Sequence, residues 1–131
     1  MSADAMLAEI MRRADFIFAG WNVLMAVGLG LLAAAALAPA LRADRRAAAL
    51  AAAGFAFFAL THLLGVLHVA KQWASLADAL RLRLAAEPAL AERLEFALMA
   101  PHVGWIVPFH LAFDALVLAG LWRLTAGALR S

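Results

Sequence analysis

The feature that most constrains this chain is a largely apolar run from Phe16 to Leu41 that contains no charged residue. The run holds about 26 residues, and a helix needs roughly 20 to cross the hydrocarbon core of a bilayer. A water-soluble domain of this size cannot cover such a block with polar surface. The run therefore predicts a membrane-spanning helix, with Trp21 near its start at the level of the lipid headgroups.

The composition favours the same class of protein. The 131 residues are 67% hydrophobic and 15% charged, whereas soluble domains are nearer half apolar and a quarter charged. This balance argues against a disordered protein, a nucleic-acid-binding module and an ordinary cytosolic enzyme. The sequence has no cysteine, which excludes disulfides, iron–sulfur clusters, cysteine-ligated zinc and covalently attached c-type haem.

Two further apolar segments complete a predicted set of three spans, at about 16–41, 47–73 and 96–124. Pro101 and Pro108 lie inside the third segment, so that span either starts at Pro101 or is kinked. The expected fold is a single all-α transmembrane domain over residues 1–131, with three transmembrane helices and short amphipathic surface helices.

The amphipathic segments lie at about 3–14 and 75–94, where apolar residues recur at helical spacing among charged ones. Both segments are too charged to span a bilayer, so we expect them to lie on its surface. Ser75 with Asp78 three residues later is typical of a helix start. Pro88 suits the first turn of a further helix.

Charge distribution predicts the orientation of the three spans. The short loop at 42–46 holds Arg42, Arg45 and Arg46, and arginine-rich short loops are typical of the cytoplasmic side. The loop and the C-terminus are therefore predicted to be cytoplasmic, in a bacterial inner membrane. Oligomers, or association with other membrane subunits, are expected for so small a bundle.

All four histidines lie in the second and third predicted spans. If those spans are antiparallel, His68 and His102 lie at similar depth near one surface, and His62 and His110 lie near the middle of the membrane. The helical angles between the two histidines of each span are about 120° and 80° at 100° per residue. The four side chains therefore cannot all point into one narrow seam.

One histidine from each of two facing helices is the ligand arrangement of haem b. His68 with His102, and also His62 with His110, are thus candidate cofactor-binding pairs. Bacteriochlorophyll is an alternative, because its magnesium accepts a single axial histidine. Either macrocycle would make the chain a membrane subunit that serves electron transfer or assembly in a larger redox or photosynthetic complex.

A second hypothesis concerns Asp114, a carboxyl group within an apolar span. His110 and Asp114 are four residues apart and share a helix face. With His62 they could hold a transition metal ion through two nitrogens and one carboxylate. The same three groups would also suit a proton- or metal-ion-conducting membrane module, because ionisable residues inside membranes often mark such paths.

The third hypothesis is a structural accessory subunit without a cofactor. A histidine in a span is most often a hydrogen-bonding partner between helices. The sequence has no glycine-rich phosphate loop, no His-Glu-x-x-His motif and no Ser/His/Asp arrangement. We therefore do not expect the chain to be an enzyme on its own.

Overall fold

The computed structural model describes residues 2–39, 44–86, 88–99 and 103–127. Helices fill most of these ranges and no strand occurs in them, so the all-α prediction is confirmed. The main helices are α1 (Ala3–Leu37), α2 (Arg45–Leu84), α3 (Pro88–Arg93), α4 (Glu95–Leu98) and α5 (Val103–Gly127).

Within the described residues, three helices are long and apolar enough to cross a membrane: α1, α2 and the part of α5 from Gly104 to Ala126. At most 28% of the residues in their most apolar 18-residue windows are buried inside the protein. The outer surfaces of these helices carry many large apolar side chains. Their exposure to water would be unfavourable, whereas contact with lipid acyl chains is favourable. Exposed examples are Phe18, Leu29, Phe57, Leu60, Leu64 and Leu116. The chain is an integral membrane protein.

The surface helix predicted at 3–14 and the predicted span from residue 16 onward lie in one continuous helix, α1, which ends at Leu37. Ser2 caps its start, because the Ser2 Oγ accepts a hydrogen bond from the Ala5 backbone N–H at 3.2 Å. Glu9 lies 2.7 Å from Arg12 and 2.6 Å from Arg13, at i, i+3 and i, i+4. These pairs satisfy charges along the helix face, so the polar residues require no break.

The predicted boundary between the second span and a surface helix at Ser75 is also absent, because α2 runs through it. The Ser75 Oγ donates to the Lys71 carbonyl at 3.1 Å, a bond made inside a helix. Asp78 pairs with Arg81 at 2.8 Å instead of taking part in a cap. Ser75 and Asp78 therefore lie in the interior of α2 and do not mark the start of a helix.

The remainder of the predicted 75–94 segment contains α3, which starts at Pro88 as the sequence predicts. The first residues of the predicted third span belong to α4. The transmembrane helix α5 begins only at Val103 and contains Pro108. The alternative start at Pro101 lies outside the described residues.

The chain groups into two compact units. The first unit contains Met1–Gly20 and Leu64–Ile106, and the second contains Trp21–Leu63 and Val107–Ser131. In the first unit, α2 buries a stripe whose members recur alternately four and three residues apart, the spacing of one helix face. This stripe is Val66, Ala70, Trp73, Ala77, Leu80 and Leu84.

The second unit has an apolar core drawn from all three long helices. Its buried members are Leu24, Ala35, Phe55, Ala59, Val117 and Leu121. Within this unit Gly28 allows α1 to approach α5, since a Cβ placed there would lie 2.9 Å from the Phe113 ring. Gly120 likewise faces Leu32, at 2.7 Å from a built Cβ. This core positions the polar residues described next.

Candidate functional site

Three of the predicted site residues come together in the second unit. α2 supplies His62, and α5 supplies His110 and Asp114. The His62 Nδ1 lies 2.9 Å from the His110 Nε2, and the His110 Nδ1 lies 2.7 Å from the Asp114 Oδ2. Both distances are those of hydrogen bonds. These residues, His62, His110 and Asp114, are called the polar triad below.

Burial is deepest at the centre of the polar triad. His110 is 0% exposed, and no other polar or charged residue in the described ranges is classed as buried. The Asp114 side chain is 14% exposed. An unsatisfied buried polar group costs roughly 1–3 kcal/mol, and more when it is charged. The two hydrogen bonds of His110 therefore hold its imidazole in an otherwise apolar core.

The hydrogen bonds of His110 restrict where the protons of the polar triad lie. With an ionised Asp114, the His110 Nδ1–H donates to the carboxylate, and the His110 Nε2 accepts from the His62 Nδ1–H. With a protonated Asp114, its O–H donates to the His110 Nδ1, and the His110 Nε2–H donates to the His62 Nδ1. The same heavy-atom geometry thus accommodates two opposite directions of hydrogen bonding.

Aromatic rings surround the two histidines of the polar triad. The Trp21 ring centroid lies 5.5 Å from that of His110 and 6.3 Å from that of His62. Phe58 lies 5.9 Å from His62 on the same helix, and Phe109 packs edge-on against Trp21 at 5.4 Å. An apolar enclosure of this kind strengthens the hydrogen bonds inside it, because the local dielectric constant is low.

Asp114 has a second carboxyl oxygen that the polar triad does not use. The Asp114 Oδ1 is buried and has no hydrogen-bond partner among the described residues. An uncompensated carboxylate oxygen in an apolar span is unfavourable. The hydrogen-bonding capacity of this atom is therefore left unused by the described residues.

His68 belongs to a different polar network, in the first unit. The Gln72 Nε2 donates to the His68 Nε2 at 2.7 Å, and the Arg13 Nη1 donates to the Gln72 Oε1 at 2.5 Å. Arg13 also pairs with Glu9. His68 is exposed, and its predicted partner His102 lies outside the described residues. The hypothesis that His68 and His102 bind haem b stays a prediction.

The second histidine pair does not fit bis-histidine ligation of haem in this arrangement. Bis-histidine haem ligation places one imidazole on each face of the ring, with the iron between the two nitrogens. The His62 and His110 nitrogens are in direct hydrogen-bond contact, and their ring centroids are 5.2 Å apart. No space for a haem remains between these two side chains. Bacteriochlorophyll requires only one axial histidine, so that alternative stays a prediction.

The polar triad also differs from a metal site. A shared metal ion requires donor atoms that converge on one point, whereas both nitrogens of His110 are directed at neighbouring side chains. Across the described ranges, no group of three His, Cys, Asp or Glu residues is arranged to hold a metal ion. The geometry gives the metal hypothesis for His62, His110 and Asp114 no support.

Sequence reasoning identified the polar triad's residues but not their aromatic surroundings. Trp21 was expected at the headgroup level, yet it packs against the rings of His62 and His110. Gln72, which orients His68, carried no functional prediction either. Its position four residues after His68 is a detectable signal, because residues at i, i+4 share a helix face.

Comparison of the chain with protein-family models, with curated proteins and with solved structures gives no match.

Proposed function

We propose that this chain is a proton-conducting membrane module, with the polar triad as the group that carries the proton. The supporting observation is the unbroken hydrogen-bonded series His62–His110–Asp114, centred on a fully buried imidazole. Imidazole suits this role because it accepts a proton on one nitrogen and releases another from the second. Series of histidine and carboxyl groups within spans are typical of proton relays.

The proposed transfer moves one proton from His62 to Asp114. A proton arriving at His62 makes its imidazole cationic, and the Nδ1–H proton passes to the His110 Nε2. The His110 Nδ1–H proton then passes to the Asp114 Oδ2. His62 and His110 end neutral, Asp114 ends as the carboxylic acid, and both hydrogen bonds have reversed direction. Loss of the proton from Asp114 and return of the two imidazoles to their first tautomers complete the cycle.

The geometry favours this role over that of a structural accessory subunit. A hydrogen bond between His62 and His110 is enough to join α2 to α5. Asp114 makes no direct bond to α2 in the polar triad, because its bond to His110 lies within α5. An aspartate at the centre of a span costs about 2.5–3.5 kcal/mol on insertion scales. A packing role does not account for that cost, whereas proton transfer requires an acceptor.

The proposal extends to location and assembly. We place the module in a bacterial inner membrane, with the loop at 42–46 and the C-terminus on the cytoplasmic side. The three arginines of that loop support this orientation. Association with further copies or with other membrane subunits would bury part of the apolar outer surface.

The test is proton flux into liposomes that contain the purified full chain. The vesicles enclose a pH-sensitive dye, and a potassium gradient with valinomycin drives proton entry. Asp114→Asn keeps an oxygen that accepts from the His110 Nδ1–H, so the fold is retained while the titrating carboxyl is lost. We expect the protein-dependent flux to fall by at least about tenfold, because a positioned proton acceptor contributes large rate factors.

The matched control is Asp78→Asn, which removes a carboxylate that is 70% exposed and paired with Arg81. We expect this variant to conduct like the unmodified protein. Equal flux in the Asp114→Asn variant and the unmodified protein would refute the proposal, as would a flux no greater than that of empty liposomes.

An absorption spectrum of the same preparation tests the macrocycle hypothesis independently. A Soret band with sharp reduced bands that is lost in His68→Ala would support haem ligation at His68 and His102. A far-red band would support a bacteriochlorophyll. Either spectrum with no proton flux would replace the proton-conducting function by that of a cofactor-binding subunit in a redox or photosynthetic complex.

A further inference from the structure

A cleft of about 810 Å³ lies in the second unit, between the first turns of α2 and the last turns of α5. Its volume falls within the roughly 300–1,000 Å³ typical of ligand pockets. Residues that line it include Arg45, Ala48, Ala49, Leu121, Trp122 and Thr125. The polar triad is not among the lining residues, so the cleft is a separate feature of the unit.

The described residues that line the cleft combine a small-residue apolar wall with the positive charge of Arg45. On the α2 side the wall consists of alanines, whose short side chains leave a furrow along the helix. On the α5 side Leu118 and Leu121 contribute larger apolar surface. Arg45 stands at the beginning of α2, where the furrow starts, and its side chain is exposed.

The charge of Arg45 is not neutralised within the described part of the chain. The salt bridges there do not include Arg45. The neighbouring acid, Asp44, caps α2: its Oδ1 accepts from the Arg46 and Ala47 backbone N–H groups at 2.8 and 3.4 Å. Asp44 thus satisfies the helix start, and the Arg45 guanidinium remains available to an external anion.

Trp122 indicates how the cleft lies in the bilayer. It lines the cleft, is 74% exposed and is followed directly by Arg123. Exposed tryptophans beside basic residues at the end of a span are typical of the headgroup level. The charged end of the cleft therefore lies near the lipid phosphates, and its alanine wall extends toward the acyl chains.

We propose that this cleft binds an anionic phospholipid, with the phosphate on Arg45 and an acyl chain along the alanine wall. The occupant must carry a negative charge at the membrane surface and an apolar chain beneath it, and an anionic phospholipid has both. Basic pockets between membrane helices are known to hold such headgroups. The assignment is independent of proton conduction by the polar triad.

Native mass spectrometry of the full chain in neutral detergent tests the assignment. The probes are phosphatidylglycerol and phosphatidylcholine with identical acyl chains. We expect phosphatidylglycerol to bind about fivefold more tightly, the effect of one arginine near the surface. Arg45→Gln should remove that preference, whereas Arg46→Gln, which changes an arginine outside the cleft lining, should preserve it.

Ala49→Phe tests the apolar part of the cleft, because Ala49 is exposed and lines it. This variant should weaken binding of both lipids. Excess inorganic phosphate should leave phosphatidylglycerol bound, since phosphate lacks the acyl chain. Equal binding of the two lipids, equal effects of Arg45→Gln and Arg46→Gln, or displacement by inorganic phosphate would each overturn the assignment.

Discussion

Replacing Gly28 with alanine adds a methyl group where α1 packs tightly against α5. The new Cβ would lie 2.9 Å from the Cε1 and Cζ atoms of Phe113 and 3.0 Å from the Val117 Cγ2. These distances are shorter than the roughly 3.5–4.0 Å van der Waals contact between two carbon atoms. Val117 is fully buried in the core of the second unit, so it has little room to move.

The magnitude follows from two opposing effects. Overpacking of a well-packed core costs about 1–3 kcal/mol. Alanine is favoured over glycine in a helix interior by about 1 kcal/mol. Gly30, two residues along the same helix, has nothing within 4 Å of a built Cβ. Because the helix-propensity gain is common to both sites, Gly28→Ala should be about 1–3 kcal/mol less stable than Gly30→Ala.

The assay is unfolding of the two variants and the unmodified chain in mixed detergent and dodecyl sulfate micelles, followed by tryptophan fluorescence. Gly30→Ala should unfold at the same denaturant fraction as the unmodified chain or at a higher one. If the free energies of unfolding of Gly28→Ala and Gly30→Ala agree within about 0.5 kcal/mol, the inferred tight packing of α1 against α5 is wrong.

Three further predictions use the same unfolding assay. Ser75→Ala should leave stability unchanged or raise it by a few tenths of a kcal/mol, because Ser75 lies inside α2. A loss of about 1 kcal/mol is typical of removing an N-cap, and it would show that α2 is broken at Ser75. Asp44→Ala should cost about 1 kcal/mol by removing the cap of α2, and no loss would contradict the capping geometry. His110→Ala should cost about 3 kcal/mol, because it strands the carboxyl of Asp114. The double variant His110→Ala, Asp114→Ala should be more stable than His110→Ala alone. If the stability losses of the two single variants simply add in the double variant, the two residues are not coupled.

The number and approximate positions of the spans were predictable, because apolar length alone selects segments able to cross a bilayer. The helix boundaries were not. Ser75 and Asp78 have the spacing of a helix start, but a serine hydroxyl also bonds the carbonyl four residues back inside a helix. The buried stripe from Val66 to Leu84 crosses this position without a shift in phase. Extending the apolar periodicity through Trp73 would have predicted the continuous helix.

The polar triad was predictable in part. The i, i+4 spacing of His110 and Asp114 fixes their shared helix face whatever the packing. Which histidine of α2 faces them depends on the rotation of α2 about its axis, and each residue changes that direction by about 100°. The same rotations decide that Trp21 faces the histidines. A tryptophan near the start of a span is more typical of the headgroup level, so no local pattern predicted this contact.

The bond between His110 and Asp114 has a consequence for how the protein enters the membrane. The most apolar 18-residue window of α5 has a mean hydropathy of 1.6, against 2.0 for the corresponding windows of α1 and α2. Its acid finds a partner within the same helix, so the pair forms as soon as this stretch of nascent chain becomes helical. Insertion of α5 therefore need not wait for α2, and the contact with His62 can form later, when the inserted helices dock.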